Sequence, residues 1–113
     1  MESKRDRRRA VREYKEAKAL GGVYAVVNRI TGETVMTEIS SNITGQENRF
    51  AFGMRHGGSF PAPLEAQYKK YGKDAFSFVI LETLEQEQNQ SAESFLEDLE
   101  ALKEICVSSK NDL

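Results

Sequence analysis

Hydrophobic positions along the chain change period several times, and each change predicts an element. Residues 3–19 are charged almost throughout, with Val11, Tyr14 and the Lys18 stem spaced to graze a neighbour from one side of a helix. Gly21-Gly22 is expected to break that helix. Val23-Tyr24-Ala25-Val26-Val27 follows, β-branched with one aromatic, and predicts a strand. Asn28 to Glu33 is polar, contains Thr31-Gly32 and predicts a turn. Thr34-Val35-Met36-Thr37-Glu38-Ile39 then supplies the second strand of an antiparallel hairpin.

Helix signals come next. Thr44-Gly45-Gln46-Glu47 fits a capping box, in which Thr44 and Glu47 satisfy each other's exposed amides. Asn48, Arg49, Phe50, Phe52 and Met54 then fall on a short helix ending before Gly57-Gly58. Pro63 suits the first turn of another helix, Leu64 to Tyr71, with Gly72 as its left-handed C-cap. Phe76-Ser77-Phe78-Val79-Ile80-Leu81 is an unbroken strand run, and residues 85–91, rich in Gln and Glu, read as an exposed loop. Ser91 caps a last helix on which Phe95, Leu99, Leu102 and Cys106 share one face. The order α-β-β-α-α-β-α predicts an α+β fold, a small three-stranded antiparallel sheet flanked by helices. Along the chain this divides into a basic N-terminal helix or arm over 1–20, a domain over 21–106 and a C-terminal tail over 107–113.

Composition narrows the class. A chain of 113 residues holds one core, and no stretch approaches the roughly 20 consecutive apolar residues of a membrane span, so no membrane role is expected. The basic N-terminus has no apolar stretch behind it, unlike a secretory signal. The single cysteine, Cys106, cannot close an intrachain disulfide, which points to a reducing, cytoplasmic setting. One histidine and one cysteine exclude a thiolate–imidazole zinc site. Cys106, between Ile105 and Val107, reads as a small buried hydrophobe, and His56, beside Arg55 and Gly57, as part of a surface loop.

The formal charge of −2 conceals polarity: residues 1–20 carry +4, residues 21–80 carry +1 and residues 81–113 carry −7. The arginine-rich stretch from Arg5 to Arg12 can neutralise phosphates. A solvated helix, or a contact with the chain's own acidic end, accounts for the same charges.

Several segments remain that periodicity alone does not explain. Gly22-Val23-Tyr24 is followed by Asn28 and Gly32, then by Asn42-Ile43-Thr44-Gly45-Gln46-Glu47-Asn48-Arg49, and later by Tyr71-Gly72-Lys73-Asp74-Ala75-Phe76-Ser77-Phe78-Val79-Ile80-Leu81-Glu82. In order and spacing, from about Arg12 to Glu104, they resemble the GIY-YIG nuclease superfamily. The resemblance implies that Tyr24 sits by the scissile phosphate and helps deprotonate or orient the attacking water. It implies that Arg49 grips phosphate oxygens as charge develops, and that Glu100 binds a divalent cation, Mg²⁺ or Mn²⁺, with Glu97 and Glu104 as competitors. Without it, Tyr24 reads as a strand tyrosine with its hydroxyl at the rim and Arg49 as an exposed helix arginine.

The departures are as informative. Where the family's second motif has aromatic-Ile-Gly, this chain has Val35-Met36-Thr37; Phe50 follows the arginine, and Lys103 stands where an aromatic commonly follows the glutamate. These imply a divergent member with an eroded second motif, acting on or binding DNA with phosphodiester cleavage weak or lost. Its basic groups would be Arg5, Arg7, Arg8, Arg9, Lys69, Lys70 and Lys73. The alternatives are an active Mg²⁺-dependent endonuclease, and a module whose terminal helices dock a protein partner or a second copy of the chain.

Overall fold

Nine residues centred on a β-branched run, Leu20–Asn28, form strand β1. In the computed structural model, which describes residues 20–111, β1 is the middle strand of a three-stranded sheet. Thr34–Ser40 forms β2 on one side and Phe76–Glu85 forms β3 on the other, both antiparallel to it. Ile43–His56 is α1, Ala62–Tyr71 is α2, and Ala92–Asn111 is α3, with a single 3-10 turn at Lys73–Ala75 leading into β3. The α+β architecture and antiparallel sheet therefore follow the expected order from β1 onward. The arm, with Arg5, Arg7, Arg8, Arg9 and its expected helix, lies outside the described residues.

A middle strand alternates its side chains between two covered faces. Tyr24 and Val26 meet Ile43, Met54 and Leu64 of α1 and α2. The opposite face belongs to α3, because a side chain at Gly21 would run into the Phe95 ring, whereas one at Gly22 would approach Ile43. The sheet is thus sandwiched, with α1 and α2 on one face and α3 on the other. Phe95 and Leu99 are fully buried, as their helical spacing predicts.

Three local readings are corrected. Gly21-Gly22 lies inside β1, not ahead of it. A Cβ at Gly22 would stand 2.5 Å from the Glu82 carbonyl oxygen, so the pair allows neighbouring strands to close up. The N-cap of α1 is Asn42, not Thr44: the Asn42 Oδ1 accepts from the Gly45 amide at 3.0 Å. Starting the helix one residue later than Asn42 places Ile43 at its first position, where its side chain is buried against the sheet. At the end of α2, Gly72 adopts φ +86° with ψ 175°, a positive-φ backbone that favours glycine but is extended, not the left-handed helical C-cap expected.

Asn28 orders the hairpin turn from inside. It is completely buried, and its Oδ1 accepts from the amides of Ile30 (2.8 Å) and Thr31 (3.2 Å) while its Nδ2 donates to Gln67 Oε1 of α2 at 2.8 Å. Arg29 closes the same end of the sheet, its amide donating to the Ala75 carbonyl and its guanidinium to that of Asp74. The turn and α2 are consequently held in one register with the sheet.

Candidate functional site

The α1–α2 face of the sheet holds the only two of the three expected catalytic side chains that meet. Tyr24 projects from the middle of β1, its ring stacked on Phe78 at 4.6 Å between centroids and 18° between planes. Phe78 in turn meets Phe50 of α1 at 5.5 Å. Arg49, one residue before Phe50, is exposed on α1 and lines the same open pocket as Tyr24, a cavity of about 290 Å³. Its floor and walls are apolar, from Val26, Met36, Phe50, Leu64 and Phe78, and the turn from Gly57 to Pro61 closes one side.

A carboxylate stands beside Tyr24, and it is not the one expected. Glu38 of β2 pairs directly with Tyr24 across the strand ladder, so the two side chains share a face. The Tyr24 phenol is raised above its ordinary value, first by burial and then by the Glu38 carboxylate, with Arg49 opposing them. At neutral pH the phenol therefore keeps its proton; it can donate a hydrogen bond but is a poor acceptor of a proton from water. Glu38 itself is approached at 3.5 Å by the Nζ of Lys103 from α3.

The shift has a consequence for stability. The folded chain holds the Tyr24 proton more tightly than the unfolded chain, so this contribution is present below the ordinary phenol value near about pH 10 and is lost as pH rises through the folded value. An ultraviolet difference titration is expected to show a late-ionising phenol that disappears in Tyr24→Phe. Superimposable wild-type and variant curves at the alkaline end would contradict the burial of this hydroxyl.

Glu100 lies elsewhere. It is exposed on α3, bordering a shallow hollow formed with Glu93, Leu96, Glu97, Ala101 and Glu104, and α3 covers the opposite face of the sheet from Tyr24. The expected competitors Glu97 and Glu104 share that placement. Among the described residues, no three His, Cys, Asp or Glu side chains converge in a way that could hold a metal ion. Beside Tyr24 and Arg49 the available carboxylate is Glu38, already facing an ammonium group, and this donor set does not fit the implied divalent cation.

Lys69 and Lys70 are exposed in the last turn of α2, with the Lys70 ammonium 5.3 Å from the Tyr71 ring centre, and Lys73 is exposed on the following turn. With Arg49 and Arg55 they give the α1–α2 layer five cationic groups against three carboxylates, Glu47, Glu65 and Asp74, whereas α3 carries five carboxylates between Glu93 and Glu104, at positions 93, 97, 98, 100 and 104. His56 packs against Phe52, centroids 4.5 Å apart, on the exposed side of α1. Cys106 is partly buried and its thiol is pushed up by burial and by Glu82, the reverse of an activated nucleophile. Among the described residues no helix is long and apolar enough to cross a membrane.

Glu38 escaped the sequence reading because its importance depends on register. Only the pairing of Tyr24 with Glu38 sets them side by side, and the β1–β2 ladder shifts by one residue between Val26 and Val27. The alternation of β2 offered a signal, since Glu38 falls two residues after Met36, which shares the pocket. Comparison of the chain with known protein families, curated proteins and solved structures finds no match.

Proposed function

We propose that this chain is a divergent GIY-YIG-like domain that binds DNA through its α1–α2 face, with phosphodiester cleavage weak or lost. The observation that carries this reading is the convergence of Tyr24 and Arg49 in one open pocket on the cationic layer, with Glu100 on the other side of the sheet. A guanidinium at the mouth of a pocket grips phosphate oxygens in a planar, bidentate manner. Lys69, Lys70 and Lys73 add point charges along the same layer. Hydrolysis asks for more: an activated water and a cation beside the phosphate. Here the phenol is held protonated and the nearby carboxylate faces Lys103, so binding outlasts chemistry.

Two assays test this. With supercoiled plasmid and Mg²⁺ or Mn²⁺, the protein is expected to show at most slow nicking. Rapid cleavage that disappears in Arg49→Ala would replace this reading with that of an active endonuclease. With labelled DNA, affinity is expected to fall as salt rises, and Arg49→Ala to reduce the slope of log affinity against log salt by about one, the loss of one phosphate contact. Affinity insensitive to salt would remove phosphate recognition altogether.

A further inference from the structure

The pocket beside Arg49 is more apolar than phosphate binding requires. Phosphate needs a guanidinium and solvent access, yet Arg49 stands over a cavity walled by the rings of Tyr24, Phe50, Phe60 and Phe78. Phe52, also bordering it, is 59 % exposed even with the His56 ring packed against it. Arg49, Phe52 and His56 recur at three- and four-residue spacing and so lie along one side of α1, with a charged group and an aromatic face at the pocket mouth. Gln46, one turn before Arg49, contributes an amide that both donates and accepts. At about 290 Å³ the cavity falls just below the range of small-molecule sites, which runs from roughly 300 to 1,000 Å³, and suits a single small ring system.

Resting on the DNA-binding reading above, we propose that this pocket receives one unstacked nucleobase, with the adjoining phosphate on Arg49 and the next base against Phe52. The substrate class is therefore single-stranded or locally unpaired DNA, not continuous duplex. A planar heterocycle matches walls of aromatic rings, and its polar edge matches Gln46, while its covalently attached phosphate matches the guanidinium beside them. A duplex offers the same phosphates but keeps its bases stacked, and it must extrude one before the pocket can be filled. The pocket and the cationic layer then act on one strand together, one selecting unpaired sites and the other supplying salt-dependent attraction.

The test uses the full chain and three fluorescently labelled probes at one salt concentration: a short oligothymidylate, an abasic oligomer of the same length and charge, and a duplex. The oligothymidylate is expected to bind about tenfold or more tightly than either other probe. Phe52→Ala, an exposed position whose folding is checked by circular dichroism, is expected to weaken oligothymidylate binding about five- to a hundredfold and to leave the abasic oligomer unchanged. Equal binding of the oligothymidylate and the abasic oligomer overturns the base pocket while leaving salt-dependent DNA binding in place. A base preference unaltered in Phe52→Ala overturns it as well, because the bases then stack elsewhere. Failure of all three probes to bind overturns the DNA reading and this inference with it.

Discussion

Gly22→Val is expected to remove the cooperative unfolding transition, or to bring its midpoint far below that of the wild type. The reason is backbone against backbone. A Cβ at this position would stand 2.5 Å from the Glu82 carbonyl oxygen, with Thr83 Cα and Ile43 Cγ1 each at 3.4 Å. Gly22 is paired on both sides, with Ser40 in β2 and Thr83 in β3, so β1 cannot retreat from one neighbour without pressing on the other. The β1–β3 register already shifts between Val23 and Tyr24, immediately beside this contact. Overpacking in cores typically costs about 1–3 kcal/mol, and opposition by main-chain atoms places this substitution at about 3 kcal/mol or more. A domain of this size has about 5–15 kcal/mol in all. Gly58→Ala is the control, since nothing lies within 4 Å of a Cβ there, and it is expected to be close to neutral. Urea unfolding followed by far-ultraviolet circular dichroism measures both. A Gly22→Val midpoint equal to that of the wild type would contradict the β1–β3 register.

Phe95→Ala is expected to destabilise the fold by about 3–5 kcal/mol, the range for truncating a fully buried phenylalanine. Phe95 is 1 % exposed and is the largest wholly buried side chain described. Its ring occupies the notch left by Gly21, where a Cβ would come within 2.8 Å of Cζ. Together with Leu99 it is the apolar anchor of α3, whose outer surface is lined with carboxylates. Loss of the ring leaves a cavity that the facing backbone at Gly21 cannot collapse to fill. The same denaturation assay measures it. A cost below about 1 kcal/mol would show that α3 does not cover the sheet in this way.

Elements decided by local pattern were legible in the sequence. The run Phe76 to Leu81 is strand, Phe95 and Leu99 share a buried helix face, and the polar turn after Asn28 joins two antiparallel strands. Features decided by contacts between distant segments were not. Gly21-Gly22 carries the local signature of a helix breaker, and only the approach of Glu82 and Phe95 shows that a strand runs through it. Thr44 and Glu47 matched a capping box, but the burial of Ile43 moves the helix start back and gives the cap to Asn42. Within the site, Tyr24 and Arg49 line one pocket, while Glu100 follows α3 to the other face. Spacing on a helix says which residues share a side, not which side of a sheet that helix will cover. Glu38, supplied by strand pairing, takes the position beside the phenol.

The claim on which the functional reading rests is that the α1–α2 face, and not α3, meets nucleic acid. Amide chemical-shift mapping during titration with a short single-stranded DNA tests it most directly. The largest changes are expected over residues 46–60 and 69–73, around Arg49, Phe52 and the three lysines, with the amides from Glu93 to Glu104 unmoved. Changes centred on α3, or none anywhere at saturating DNA, would contradict it.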